Sequence, residues 1–413
     1  MRFLYDVIDE RAGDRRPPML SVSIHNGVVP RASITDDEHR ADDLTNYKIV
    51  QRGDIVINRM RAFQGAVGQA PSEGLVSPDY LVLRLNDSLC GRYFHHLLRS
   101  RWFVSEMSSR LRGIGSLDQG NVRTPRINAE DLGDIPIDLP SARAQTLIAA
   151  FLDAETRRMD QLIATKSRMV EQCVELRQSI TYSAVGGTLD RSSVGGRRAS
   201  NIPWLPTIPS SWREATLRLV ARLGSGHTPS RSRPEWWENC TVPWVTTGEV
   251  ARLRSDRHEF VQDTRERVSE LGLANSSAVV HPAGTVVLSR TASAGYSGIM
   301  ASPMATSQDF VTWTCGPDLE PRFLLLCLRA MRGDLLGRLA QGSTHKTIYM
   351  PDIESIRVPL PPLEDQVEIV ESAWERLDGV GELEDALASQ IDLLQERRRS
   401  LITAAVTGET EVA

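Results

Sequence analysis

The sequence predicts an α+β fold in which two β-rich globules are separated by two long antiparallel α-helices packed as a coiled coil, the whole forming an internal pseudo-twofold repeat. Three observations carry this. Leu139-Pro140-Ser141 opens a segment closing at Ala184-Val185-Gly186-Gly187-Thr188, and Leu360-Pro361-Pro362 opens one closing at Ala405-Val406-Thr407-Gly408-Glu409, both pairs offset by 221 residues without a gap. Such a fixed long period is the mark of a repeated architecture. Inside both segments apolar residues recur at three-to-four spacing, the helical period, and ahead of both lie short β-rich runs punctuated by Gly, Pro and Asn.

Residues 1–139 form the first globule. Gly53-Asp54-Ile55-Val56-Ile57 leads into Tyr80-Leu81-Val82-Leu83-Arg84-Leu85, apolar in strand fashion, and a helical stretch follows from Tyr93 to Leu111. Residues 140–188 are the first long helix, with its apolar seam at Ile148, Leu152, Met159, Leu162, Met169, Cys173, Leu176 and Ile180. Residues 189–205 read as a linker, polar and rich in Ser, Gly and Arg between Arg191 and Asn201, a composition that predicts mobility. Residues 206–360 form the second globule, where Gly284-Thr285-Val286-Val287-Leu288-Ser289 and Asp309-Phe310-Val311-Thr312-Trp313 are the strands and Pro321 to Leu339 the helical stretch.

Residues 361–409 are the second long helix, with Ile369, Ala373, Val380, Leu383, Leu387, Ile391, Leu394 and Leu401 on its seam, and residues 410–413 are a tail. Neither helix holds a proline after its opening turn, and each ends at glycine. So narrow a seam on so long a helix needs another helix to cover it, which the two copies supply to each other or find on a partner. Gly379 and Gly381 weaken the second helix by up to about 1 kcal/mol each and allow a bend there.

Length alone, at 413 residues, points to more than one domain. The composition is that of an ordinary globular chain, with 41% hydrophobic and 24% charged residues, which excludes disordered and fibrous classes. The five cysteines, Cys90, Cys173, Cys240, Cys315 and Cys327, are an odd number without metal spacing and read as reduced cytoplasmic thiols. Asp6, Asp9 and Glu10 interrupt the N-terminus before a signal-peptide core can form, and the most apolar run, Phe323 to Leu328, falls far short of the roughly 20 residues that span a bilayer.

A net charge of −5 argues against a nucleic-acid binder until its distribution is read. Residues 361–388 hold nine acids against one base, Arg376, so the remaining chain carries 47 bases to 44 acids. Acidity concentrated on one helix leaves other surfaces free to be locally basic.

The alternation of globule and helix resembles the specificity subunit of type I restriction-modification systems, over nearly the whole chain. The stretches that carry the resemblance are Ile208-Pro209-Ser210-Ser211-Trp212, Gly224-Ser225-Gly226-His227-Thr228-Pro229, Val242-Pro243-Trp244-Val245-Thr246-Thr247-Gly248-Glu249, Leu360-Pro361-Pro362-Leu363-Glu364-Asp365-Gln366 and Arg397-Arg398-Arg399-Ser400-Leu401-Ile402. In the first half, Asn58-Arg59-Met60-Arg61-Ala62-Phe63-Gln64-Gly65 and Val76-Ser77-Pro78-Asp79-Tyr80 are similar to one common type of recognition domain. One departure is that no counterpart of Ile208 to Trp212 precedes the first globule, which opens at a segment similar to Leu217 onward, as if trimmed or started late.

The resemblance implies that residues 1–139 and 206–360 are target recognition domains. The chain is then expected to bind double-stranded DNA and to scaffold two methyltransferase subunits that use S-adenosylmethionine, with ATP-dependent restriction and translocase subunits able to join. The exposed flanks of the long helices, including the acidic run at 364–385, are the expected docking surfaces. A helix of about 45 residues at about 1.5 Å rise sets roughly 65 to 70 Å between globules, about two turns of B-DNA. Two unlike globules then predict an asymmetric, bipartite target.

Reading bases needs paired donors or acceptors, chiefly Arg for guanine and Asn or Gln for adenine. Loops after strands supply Asn58, Arg59, Arg61 and Gln64, with Arg112, Arg123 and Arg126, in the first domain. In the second they supply Arg290, Thr291 and Ser293, and Ser343, Thr344, His345 and Lys346. Trp236, Trp237 and Trp244 read as core, with a base-stacking platform as the alternative, and His95-His96 has no metal partner and no assigned chemistry.

No catalytic residue is expected. The chain has no Asn/Asp-Pro-Pro-aromatic methyltransferase loop and no Gly-x-x-x-x-Gly-Lys-Ser/Thr phosphate loop; Asp352 and Glu354 lack the lysine of a nuclease site, and Gly224-Ser225-Gly226 is too short for a nucleotide fingerprint. The chain therefore reads as a cytoplasmic, non-catalytic subunit without a cofactor or metal of its own. The alternative reading is a scaffold presenting two protein-binding globules on a coiled coil.

Overall fold

The computed structural model describes residues 1–24, 27–34, 43–110, 126–189, 196–291, 293–340 and 346–412. They form two compact units, residues 1–167 with 389–413, and residues 168–388.

In the first unit, four antiparallel strands run in the order Tyr5–Ile8, Leu81–Leu85, Ile55–Ile57, Val67–Gln69, with Ile55 opposite both Leu83 and Gln69. One face of this sheet packs on Tyr93, Phe94, Leu97 and Phe103. The helical stretch expected from Tyr93 to Leu111 is two helices, Gly91–Arg99 and Arg101–Ser109. Ser100 takes an extended conformation between them and accepts the Phe103 N–H at 3.2 Å, the capping that breaks a helix and restarts it.

The second unit repeats the theme. Ala221–Ser225, Phe310–Cys315, Val286–Ser289 and Ser297–Met300 lie in the corresponding antiparallel order, and Phe260–Val261 adds a parallel edge. Helix Pro321–Ala330 covers the sheet as Gly91–Arg99 does in the first unit, and a π-turn at Leu335–Leu339 ends the helical stretch.

The long helices span Ala142–Val185 and Leu363–Thr407, and the second is unbroken at Gly379 and Gly381. Arg257 donates to the Gly381 carbonyl at 2.8 Å and lies where a side chain at 381 would go, so the glycine accommodates a packed guanidinium. At the end of the first helix, Gly187 has φ +66° and Thr188 N–H returns to the Ser183 carbonyl at 2.8 Å, the left-handed C-terminal cap anticipated from the Gly-Gly pair.

Within each unit the two helices pair antiparallel. In the first, Asp160 meets Arg398, and Ala149 and Leu152 share a core with Ile402, Ala405 and Val406. In the second, Arg177 meets Glu384, and Cys173, Ile180 and Ala184 pack with Ala373, Leu377 and Val380. Buried positions on the first helix include Gln145, Ala149, Leu152, Thr156, Met159, then Cys173, Arg177, Ile180 and Ala184, in steps of four and three, with Thr181 and Val185 widening the seam at the end. That is the 3.5-residue period of a left-handed coiled coil.

This corrects the expected seam. Leu162, Met169, Leu176 and Leu383 are exposed. The true ladder passes through polar residues (Gln145, Thr156, Arg177) that an apolar reading skips in favour of the nearest hydrophobe.

A second correction concerns the linker. Arg197–Ile202 is a strand paired antiparallel with Leu205–Pro209. Ile202, Leu205, Ile208 and Trp212 form a small core beneath this hairpin, while Arg197 donates to the Gly186 carbonyl at 3.0 Å and Arg198 to Glu214 at 2.9 Å. The arginines that gave the segment its linker composition are the side chains that fasten it down.

Candidate nucleic-acid interface

Strand Ile55–Ile57 delivers Asn58 and Arg59 to the edge of the first unit. Asn58 is buried, its Oδ1 accepting the Met60 N–H at 3.2 Å and its amide donating to the Tyr80 hydroxyl at 3.4 Å. Arg59 donates through Nε to the Ile127 carbonyl at 3.0 Å and also to Asn128 Oδ1, while Ile127 N–H returns to the Arg59 carbonyl at 3.3 Å. The chain then turns through a 3-10 segment, Ala62–Gln64, closed by Gly65 at φ +85°. That turn leaves Arg61 and Gln64 exposed, and the Arg59–Ile127 tie brings exposed Arg126 to the same edge. Arg112 and Arg123 lie outside the described residues.

The second unit has a parallel construction. Arg290, following strand Val286–Ser289, donates through Nε to the Gln308 carbonyl at 3.1 Å and through a terminal nitrogen to the Ile348 carbonyl at 3.5 Å, and Ile348 N–H returns to Arg290 at 2.8 Å. Thr291 donates to Asp309 at 2.5 Å, and Ser293 accepts from Arg254 at 3.1 Å. Lys346 is exposed, with Nζ donating to the Leu336 carbonyl at 2.9 Å. Ser343, Thr344 and His345 lie outside the described residues.

The candidates therefore divide by chemistry. Arg59 and Arg290 engage part of their guanidinium donors on protein acceptors, chiefly backbone carbonyls, which fixes the turn they sit on and restricts how they can meet a base. Arg61, Gln64, Arg126 and Lys346 keep their polar groups at the surface, where a base edge or phosphate can be met.

Sequence reasoning missed a further segment. Thr228 donates to Gln308 Oε1 at 2.6 Å, His227 N–H bonds the Thr306 carbonyl at 3.0 Å, and the Arg231 guanidinium lies 4.6 Å above the Trp237 ring. Gln308 is also the residue whose carbonyl holds Arg290, so this loop borders the same edge. A side chain at Gly226 would strike the Thr306 carbonyl oxygen at 2.0 Å, so glycine is required for the approach. The signal in the sequence is the run Gly224 to Pro229, whose glycines let the backbone come this close.

Trp244 is buried, 5.5 Å from Trp237 between ring centroids, while Trp236 and Trp237 are half-buried. His96 is 2.8 Å from Asp153 and belongs to the packing between Gly91–Arg99 and the first long helix, while His95, held down to about 3 by burial, lies beside Gly27 and Arg99. Among the described residues there is no group of three or more His, Cys, Asp or Glu able to hold a metal, and no helix long and apolar enough to cross a membrane. The acids of residues 364–382 are exposed, with the charge on the outer face of the second long helix.

Residues 209–391 match the type I restriction modification DNA specificity domain. The chain is 25% identical over 164 residues to the type I restriction enzyme MjaIX specificity subunit of Methanocaldococcus jannaschii, covering 39% of this chain and 37% of that protein. It is 22% identical over 188 residues to the EcoR124I/EcoR124II specificity subunit of Escherichia coli, covering 44% and 45%. The chain thus spans less than half the length of the curated relatives it matches.

The fold likeness is broader. A solved chain from a study of complex assembly and conformational transition of the type I R-M system superposes with TM-score 0.71 at 17% identity, covering 99% of both chains. The HsdS subunit from Thermoanaerobacter tengcongensis superposes with TM-score 0.53 at 17% identity, covering 98% of this chain and 94% of the other.

Proposed function

We propose that this chain, whose residues 209–391 carry a type I restriction modification DNA specificity domain, is the sequence-reading subunit of a type I restriction-modification enzyme. Each β-rich globule reads one half of an asymmetric, bipartite target in double-stranded DNA, and the helix pair is the spacer between the halves. A helix of 44 residues is about 66 Å long, close to two turns of B-DNA.

The observation that carries this reading is the repetition of one strand order and one head helix in both units, joined by helices in one heptad register. A repeat built from unlike sequences on a common frame suits a reader of two unlike half-sites. The exposed donors of the two edges, Arg61, Gln64 and Arg126 in one and His227, Arg231 and Lys346 in the other, supply the contacts.

The chemistry comes from partners. Two methyltransferase subunits supply S-adenosylmethionine and the transfer to adenine, and an ATP-dependent restriction and translocase subunit supplies cleavage. The exposed acidic face of the second long helix is their docking surface. This chain works in the cytoplasm, without a cofactor of its own.

Co-expression with an adenine methyltransferase of the same system, followed by mapping of methylated adenines, tests the reading. A single gapped, asymmetric methylated motif is the expected result. Methylation without such a motif, or none that depends on this chain, would reject the reading and favour a scaffold for proteins.

A further inference from the structure

One glutamine occurs in each long helix at the same place in the repeat, and each does the same thing. Gln145 Oε1 accepts the Cys90 N–H at 2.8 Å, and its Nε2 donates to the Ser88 carbonyl at 3.4 Å and the Pro140 carbonyl at 2.9 Å. Gln366 Oε1 accepts the Glu320 N–H at 2.9 Å, and its Nε2 donates to the Asp318 and Pro361 carbonyls, each at 2.9 Å. Cys90 and Glu320 are the residues just before the head helices Gly91–Arg99 and Pro321–Ala330. Ser88 and Asp318 lie two residues earlier, and Pro140 and Pro361 sit at the entrances to the long helices.

Both glutamines are buried, at 1% and 0% exposure, and both occupy the first rung of the heptad ladder. All six contacts are to backbone. A buried amide with its donors and acceptor engaged fixes direction as well as distance, because amide and carbonyl must be met in one plane. The rest of the contact between head helix and long helix differs in detail. In the first unit Tyr93, Phe94 and Leu97 share a core with Ala149 and Leu152, and His96 meets Asp153, while in the second Leu324 and Leu328 share a core with Val370, Ala373 and Trp374. The amide clamp makes the same backbone contacts in both.

From this we propose that Gln145 and Gln366 are positioning residues that set the angle at which each recognition head leaves the helix pair, and so the spacing between half-sites that the subunit accepts. This deepens the function proposed above and rests on it for its consequence in DNA, but the clamp itself is a property of the protein alone. It works on any head whose backbone makes the same turn, because it reads no side chain.

Two measurements test it. In hydrogen exchange on the full chain, Gln145→Leu accelerates exchange at Cys90 and the first turn of Gly91–Arg99 by about tenfold or more and leaves Glu320 and Pro321–Ala330 at the wild-type rate. Gln366→Leu does the reverse. Unchanged exchange at both places in a folded variant overturns the clamp. With the methyltransferase complex, wild-type protein discriminates between its target and the same half-sites with the gap one base pair longer or shorter. Each variant, compared as a ratio of methylation rates so that general loss of activity cancels, discriminates at least about tenfold less.

Equal discrimination in folded variants that show the exchange effect overturns the positioning role while leaving the clamp. If wild-type protein directs methylation to no gapped target, the functional reading has failed, and the exchange experiment still decides on the clamp. Leucine is close in size to glutamine, and variants that fail to fold are replaced by Gln145→Glu and Gln366→Glu, which keep the acceptor and lose both donors.

Discussion

Arg177 donates to Glu384 at 2.6 Å within the second unit, and both side chains are largely withdrawn from water. The residue 221 positions on, Arg398, meets Asp160 at 3.2 Å in the first unit, but there the carboxylate is 56% exposed. Removing one partner of a buried pair strands a charge, whereas removing one partner of an exposed pair strands nothing. Arg177→Ala is expected to destabilise the second unit by about 3 kcal/mol, and Arg398→Ala the first by under about 1 kcal/mol. Urea denaturation followed by regional hydrogen exchange separates the two. The double variant Arg177→Met with Glu384→Leu recovers most of the loss, because the stranded charge goes with its partner.

The arginines of the two edges give a second contrast. Arg61→Ala and Arg126→Ala remove exposed donors and are expected to weaken DNA binding by about 1 to 3 kcal/mol each without changing stability. Arg59→Ala and Arg290→Ala remove donors that hold the Ile127 and Ile348 carbonyls, and lower the stability of their own heads by about 1 to 3 kcal/mol. Fluorescence anisotropy with labelled duplex, alongside unfolding of the same preparations, checks both arms. A stable Arg59→Ala that has lost one base preference would make Arg59 a reader after all.

The same residues show where sequence could lead and where it could not. The offset of 221 residues, the two long helices and the strands at Ile55–Ile57 and Val286–Ser289 were legible because periodicity and β-branched runs report directly on burial. The true seam was not, because Gln145 and Arg177 are buried by virtue of hydrogen bonds and an ion pair whose partners are far away in sequence, and Thr156 by turning its hydroxyl back onto the Leu152 carbonyl. Arg59 and Arg290 were legible as residues at the right edge but not as used ones, since a guanidinium bound to a carbonyl 68 positions away, as for Arg59, leaves no local trace. The strand Arg197–Ile202 was hidden by the polar residues that anchor it.

Acid is expected to loosen the first unit. Burial holds His95 down to about 3, with Arg99, His96 and Arg398 around it adding to the effect, and burial also lowers His96 despite Asp153. His95 is therefore neutral in the folded state until about pH 3 and His96 takes its proton at lower pH than in the unfolded chain, which takes up protons below about pH 6.5. The unfolded state then binds more protons, so stability falls as pH drops through 6.5 toward 3. His95 alone removes about 2 kcal/mol between pH 7 and pH 5. His95→Leu, the residue type that Leu325 supplies on the other head helix, flattens this slope, measured by urea unfolding at the two pH values with Trp102, the one tryptophan of residues 1–167, as probe.

Exchange of a whole head follows from the way each is held. Residues 1–138 end just ahead of Leu139-Pro140, and Gln145, which stays behind, grips the departing head only through the Ser88 carbonyl and the Cys90 N–H. A foreign head with the same turn before its helix presents the same two backbone groups, whatever its side chains. The second head keeps its own clamp at Gln366. Replacing residues 1–138 by another recognition domain is therefore expected to change one half of the methylated motif and leave the other half and the gap as they were. Mapping methylated adenines in cells carrying the chimaera checks this directly. A motif altered in both halves, or one with a new gap, would mean that the heads are read jointly and that the frame does not fix their spacing.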